Sequence, residues 1–552
     1  MPEHPLRIVI LGGGFAGLAC AQRLERLLHD SSSGGLKING RDVQLILIAR
    51  DNYFNFQPLL ADVVGGSIEP RHVVSPLRRL LPLTDVRQCE IESIDLKNRR
   101  VNFYPADQRA IPPIDADHLV LALGQATDFS RIPGMAEHAL ALKNLGDALR
   151  IRNHVVSRLE EATLEESEDE RRRLLTFVVV GAGFSGVEVA GQINDLASDA
   201  LRSYPRLTKN DRRPFRVIVI QKSDRILQQL DPDLSSFALQ CLKQRGIEIK
   251  LSQGVAAVKT GGLRLDDGEE IKAATMIATV GNTIHPLLAH LPLKRRGNRI
   301  EVLPTLEMAD FKGVWASGDC AAVPSPQDGW APEMAQFAVR EGRLLADNLI
   351  AAMKNRTLKK FSYKSMGQLA SLGHHQAVAQ VFSLRFGGIA AWWLWRTVYL
   401  FKLPGIDRRL RVLFDWTLDL LFSRDIVKLN VSPTSAVSRA HYEAGETIFK
   451  TGDPSQTFYI VEKGTVELLE ADAQGRSQTI AQLGPGSHLG ERSLIAKNPH
   501  ALTARAATAI DLLTIHRADF TALANNLPPL RQAIEEALRR WEKSPKNPNP
   551  LP

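Results

Sequence analysis

At 552 residues the chain is too long for one hydrophobic core, and 44% hydrophobic with 24% charged residues excludes wholesale disorder. A formal net charge of +8 suits an anionic partner, whether a dinucleotide, nucleic acid or acidic lipid. The four cysteines, Cys20, Cys89, Cys241 and Cys320, form no C-x-x-C pair, which excludes a zinc ribbon and a dithiol redox centre and points to a reducing compartment.

Leu6 to Leu11 reads as a buried strand, and the run from Gly12 to Leu28 opens through glycines into a helix. Gly12, Gly14 and Gly17, with Ala16 among them, fit G-x-G-x-x-G, where glycine permits a tight turn and close approach of a pyrophosphate to a helix N-terminus. The strand starts too early for a secretory leader, so the chain is expected to stay in the cytoplasm. Ser31 to Arg41 reads as a flexible insertion before the next strand. The charged run from Glu160 to Arg173 reads as a solvated helix leading into a second strand-turn-helix unit. In that unit Gly181, Gly183 and Gly186 repeat the glycine pattern. Two such units predict an α/β fold with two Rossmann-type dinucleotide-binding domains.

Farther on, Ile389 to Phe401 and Arg408 to Phe422 combine apolar, aromatic faces with basic edges. Between Arg396 and Arg411 the bases Arg396, Lys402, Arg408, Arg409 and Arg411 face the single acid Asp407. Such helices suit an anionic bilayer surface, with tryptophans at headgroup depth and arginines in water; a dimer or domain interface is the alternative. No apolar run reaches the ~20 residues that span a bilayer. Beyond residue 430, alternating short strands and glycine turns read as a β-roll capped by a helix at 528–541, with a disordered tail at 542–552.

Other motifs narrow the class. Ala316-Ser317-Gly318-Asp319 resembles the A-x-G-D motif of flavin-dependent pyridine-nucleotide oxidoreductases, which implies that Asp319 binds the ribityl chain of FAD. Leu119 to Gly124 is similar to their A-T-G strand, with Leu123 where threonine is usual. Asn52 to Leu60, Pro332 to Val339, Phe361 to Ala379 and the aromatic segment from Gly388 to Phe422 resemble the type II NADH dehydrogenases, over residues 5 to about 430. The resemblance implies a monotopic membrane flavoprotein that passes a hydride from NAD(P)H to FAD and then electrons to a membrane quinone without pumping protons. It assigns Gly12, Gly14, Ala16, Gly17, Arg50, Gln57, Gly124 and Asp319 to FAD, and Gly181, Gly183, Gly186 and Gln221 to NAD(P)H. Glu188 is implied beside nicotinamide and flavin, where the plain alternative is a first-turn acid complementing the helix dipole.

Three positions depart from that pattern. The adenosine-ribose acid is replaced by Ala49, followed by Arg50. Gln221 stands where NADH-preferring relatives carry glutamate, which removes repulsion against a 2′-phosphate, while Lys222 and Arg225 could attract one. NADPH is therefore expected to be used alongside NADH, or preferred. In the quinone motif Gln336 is retained, but the paired glutamines become Arg340 and Glu341, a charged pair. A modified quinone, a soluble carrier and dioxygen are all compatible acceptors. His374 and His375, being adjacent, suit hydrogen bonding better than joint metal ligation, and no metal is expected.

Ser432 to Trp541 resembles a cyclic-nucleotide-binding domain. Gly490 and Glu491 match its phosphate and ribose contacts, and His500 falls where a partner arginine is usual, so a fixed cation is lost. Too few residues follow Trp541 for a helix-turn-helix, and no nucleic-acid partner is expected. The expected division is an FAD domain at 1–145 and 300–385, an NAD(P)H domain at 146–299, membrane-associating helices at 386–430 and the cyclic-nucleotide-binding-like domain at 431–541. A homodimer, peripheral on the cytoplasmic side of the inner membrane, is expected. The competing class is a redox or cyclic-nucleotide-linked signalling flavoprotein with a non-quinone acceptor.

Overall fold

The computed structural model describes residues 4–30, 34–104, 111–127, 129, 131–209, 211–326, 329–428, 437–453, 457–471, 477–490 and 500–516. The chain divides into two compact units, Met1–Lys428 and Leu429–Pro552.

In the first unit, Leu6–Leu11 is continuously apolar because both faces of its strand are covered, and Ile8 to Leu11 are fully buried. It pairs in parallel with Arg41–Ala49 on one side and His118–Leu121 on the other, and Val314–Ala316 extends the sheet beyond His118–Leu121. The helix Phe15–Leu28 packs on Ala335–Met353 closely enough that a Cβ on Gly342 would lie 2.2 Å from the Ala16 carbonyl oxygen. A second, all-parallel sheet runs Ala139–Ala141, Thr275–Ala278, Thr176–Val180, Arg216–Ile220, Ile247–Lys250. Ala139–Ala141 thus joins the second sheet although it precedes residue 146.

Two local expectations are corrected. The segment before Arg41 is not wholly irregular: Lys37–Ile38 forms a hairpin with Arg41–Ala49, because Asn39 and Gly40 take positive φ of 48° and 78° in a tight turn. The charged run from Glu160 is two helices, Leu145–Leu164 and Glu168–Leu174, the second capped by the Ser167 hydroxyl accepting from Glu170 N.

Beyond the second sheet, Gly367–Gly373, Gln376–Val381 and Leu384–Gly388 form an antiparallel sheet, followed by helices Ile389–Lys402 and Ile406–Leu421. Among the described residues no helix is long and apolar enough to cross a membrane. The second unit holds two four-stranded antiparallel sheets around Phe449, Val461, Val466, Ile510 and Leu512. The helix expected at 528–541 and the tail lie outside the described residues.

Candidate functional site

Two turns of the same geometry open the two sheets' central helices. Gly12 N donates to the Ile48 carbonyl at 2.8 Å, and Gly181 N donates to the Ile220 carbonyl at 2.8 Å. A Cβ on Gly17 would lie 1.9 Å from the Gly12 oxygen, and one on Gly186 1.9 Å from the Gly181 oxygen, so both helices seat on their turns only with glycine there. Gly14 and Gly183 behave oppositely, with nothing within 4 Å of an added Cβ. Each is the N-cap of its helix, with no side-chain cap and no acid in the first turn. Each helix therefore presents free N–H groups and the positive end of its dipole to open space, as a pyrophosphate requires.

Beside the first turn, Asp319 is half-buried, and desolvation pushes its carboxyl up, with Glu333 adding to the effect and Lys143 and Arg299 opposing it. Next to it the buried Ser317 hydroxyl has no hydrogen-bond partner among the described residues. A polyhydroxyl chain would satisfy the Asp319 carboxyl beside the open helix end at Gly14, so the residues present fit FAD, while Ser317, 0% exposed, is sealed from it. Gln57 Nε2 donates to the Lys143 carbonyl at 3.3 Å, Gly124 turns the chain at φ 68°, and Arg50 is exposed, 4.0 Å from Asp51. Ala16 is buried under Gly318, whose added Cβ would meet its own at 2.9 Å, so it serves close packing.

In the second turn Gln221 Oε1 accepts from Ala182 N at 2.7 Å while its amide donates to Ser223 Oγ, which fixes the side chain beneath the cradle. Glu188 lies in the second turn of the helix Phe184–Ala200, and that helix has no first-turn acid, which overturns the dipole reading. It is 8% exposed, and its Oε1 accepts from Ser371 N at 3.1 Å and Trp395 Nε1 at 3.2 Å. Burial pushes its carboxyl up to about 8, against the Ser371 donor and with the Asp62 charge adding to the rise.

Asp62 was not evident from the sequence. It is 3% exposed, pushed up to about 6 by burial despite Arg396 and Arg424, and its Oδ1 lies 3.3 Å from Gln192 Nε2. It opens on a cavity of about 360 Å³ lined also by Asp195, His375, Arg396 and Arg424.

The aromatic segment is also corrected. Trp392, Trp395 and Trp416 are buried, and buried Arg396 lies 3.8 Å over the Trp392 ring, so these residues build the interior rather than a headgroup belt. The outer face is carried instead by Trp393, Phe401, Leu410, Leu413, Phe414 and Leu421, all exposed.

Gln336, at the start of Ala335–Met353, is held at both ends: its amide donates to Ser365 Oγ at 2.9 Å, and its oxygen accepts from the Tyr363 hydroxyl at 3.0 Å. Arg340 and Glu341 are not a pair. Glu341 turns inward, 3% exposed, and accepts from Gly318 N at 2.7 Å, while Arg340 lies 3.9 Å over the Tyr363 ring. In the second unit His500 is buried and stacked on Phe449, centroids 3.7 Å apart. Burial pushes it below the usual histidine range, and Gly490 lies close enough that an added Cβ would be 3.7 Å from its ring. Glu491 lies outside the described residues.

Two nucleotide cradles on parallel sheets, with a buried glutamate on the second cradle's helix, define a two-dinucleotide oxidoreductase. Residues 6–342 match the pyridine nucleotide-disulphide oxidoreductase model, 365–425 the NDH2 C-terminal domain and 439–526 the cyclic nucleotide-binding domain. The chain is 30% identical to the type II NADH:quinone oxidoreductase Ndh of Mycobacterium tuberculosis, over 80% of this chain and 94% of that protein. It is 28% identical to the external NADH-ubiquinone oxidoreductase 2 of Saccharomyces cerevisiae, over 76% and 81%. Its fold matches NDH2 from Plasmodium falciparum, solved in complex with NADH, with a TM-score of 0.68 at 19% identity over 77% of this chain and all of that one. The chain belongs to the type II NADH:quinone oxidoreductase family, and it carries a cyclic nucleotide-binding domain at its C-terminal end.

Proposed function

We propose that this protein oxidises NAD(P)H through FAD and reduces a membrane quinone without pumping protons. The observation that carries the reading is the contact of Glu188 with Ser371 and Trp395, which links the second cradle's helix to the C-terminal sheet and aromatic helix. FAD, when bound, accepts two electrons from a nicotinamide and returns them one or two at a time, the chemistry needed between such a donor and a quinone. The N–H groups after Gly14, together with Asp319, Gly124 and Gln57, would hold FAD, and those after Gly183, with Gln221, would hold NAD(P)H. Glu188, pushed up to about 8, keeps a proton at neutral pH beside the site and supplies it as the quinone is reduced. Gln336, fixed by Tyr363 and Ser365, is positioned to donate or accept at a quinone oxygen.

The exposed apolar stripe of Ile406–Leu421, bearing Leu410, Leu413, Phe414 and Leu421 beside Arg408 and Arg411, suits peripheral binding to the anionic cytoplasmic surface of the inner membrane. A homodimer belongs to the same proposal, as do NADPH use through Gln221 and modulation by the C-terminal domain. Anaerobic titration tests the core of it: NADH should bleach the flavin of FAD-loaded protein, and a short-chain quinone should restore the oxidised spectrum. Bleaching without restoration would remove quinone as the acceptor and favour the signalling flavoprotein.

A further inference from the structure

Among the described residues, a cation at the proposed acceptor end lacks a counter-charge. Arg340 follows Gln336 by one helical turn, so the two share a face of Ala335–Met353. Tyr363 joins them, its hydroxyl 3.0 Å from Gln336 Oε1 and its ring 3.9 Å beneath the Arg340 guanidinium. The guanidinium also donates to the Gln336 carbonyl at 2.8 Å. Among the described residues Arg340 has no carboxylate partner. Its sequence neighbour Glu341 is committed to Gly318 N. Two cations feel its charge: burial and then Arg340 push the Lys402 ammonium down, and burial, Arg26 and Arg340 do the same to Arg343. Lys402 ends the helix Ile389–Lys402 directly after Phe401, which is 68% exposed, so this charge stands where the site meets the apolar outer face.

Arg340 is half-buried and stands near the exposed cations Lys402 and Arg343; like charges gathered in this way favour an anion, and a guanidinium beside a tyrosine ring offers it directed, charge-assisted hydrogen bonds. We propose that the acceptor of this protein is a quinone bearing an ionised acidic substituent beside its ring, an acidified hydroxyl or a carboxylate. Arg340 is its specificity-determining residue, and Lys402 supports it. The inference rests on the reading of Gln336 as an acceptor contact. The reaction is otherwise unchanged: NAD(P)H, one proton from solvent and the quinone give NAD(P)+ and the quinol, and the substituent keeps its charge throughout.

The test is anaerobic turnover of NADH by FAD-loaded, full-length protein with two short-chain quinones of matched potential, one neutral and one bearing a carboxylate. Wild type should favour the anionic quinone in kcat/KM by roughly ten- to hundredfold. Arg340→Gln should abolish the preference and Arg340→Lys should keep part of it, with flavin reduction by NADH measured in each variant to show that the site is formed. Equal use of both quinones by wild type, or an unchanged ratio in Arg340→Gln, overturns the inference while leaving the quinone reading intact. Reoxidation by neither quinone overturns the quinone reading itself, and the inference with it. If Arg340→Gln fails to reduce its flavin, Lys402→Gln decides, and it is expected to weaken the preference.

Discussion

Glu188→Gln separates the charge of this buried group from its hydrogen bonds. The amide keeps an oxygen for Ser371 N and Trp395 Nε1 but cannot ionise. In the wild type the carboxyl stands at about 8 against an ordinary 4.5, so between those values the folded chain binds a proton that the unfolded chain has released. Folding stability therefore falls as pH rises through that window, and at about 1.4 kcal/mol per pH unit the loss reaches about 5 kcal/mol above pH 8. Asp62, at about 6 against 3.8, adds a loss of the same sign over a lower window, and the variant retains it. Denaturant unfolding followed by tryptophan fluorescence at pH 5, 7 and 9 should show wild type and variant alike at pH 5. The variant should gain several kcal/mol on the wild type by pH 9. Parallel curves at all three values would mean that Glu188 ionises near its ordinary range, and the role given to it as a proton-holding group would fall.

The glycine cradles make a paired prediction. Gly183→Ala meets no atom within 4 Å at φ −72°, so it should leave thermal stability unchanged while raising the KM for NAD(P)H. Gly186→Ala puts a Cβ 1.9 Å from the Gly181 oxygen and should lower the Tm by several degrees; the reverse order would place the dinucleotide elsewhere. Gln221→Glu keeps an acceptor for Ala182 N and adds a negative charge near the ribose. Its NADPH-to-NADH ratio of kcat/KM should fall roughly tenfold or more, and a constant ratio would detach Gln221 from donor choice. His500→Arg restores a fixed cation in place of a neutral, buried ring, so calorimetry on the full chain should show cyclic nucleotide binding at least about tenfold tighter than wild type. No gain would exclude position 500 as a phosphate contact.

What the sequence made legible was local. Both cradles are written within single strand-turn-helix stretches, where Gly17 and Gly186 are required by contacts with Gly12 and Gly181 of the same stretch. Glu188 was legible by position but not by surroundings, because its donors lie 183 and 207 residues away and tertiary packing alone brings them in. Arg340 and Glu341 misled for a geometric reason: successive helix residues point about 100° apart, so neighbours of opposite charge need not meet. The tryptophans misled for another. An aromatic, basic segment has two faces, and which one turns inward depends on partners such as Glu188 and Asp62 that the segment itself does not contain. Asp62 carried no signal, lying in an apolar run whose partners Gln192 and Arg396 are remote in sequence.

The most direct test of the account is steady-state oxidation of NADH and NADPH by purified, FAD-loaded protein under nitrogen, with and without a short-chain quinone. The account predicts turnover of both donors that depends on added quinone. Flavin reduction with no quinone-dependent turnover of either donor would contradict it.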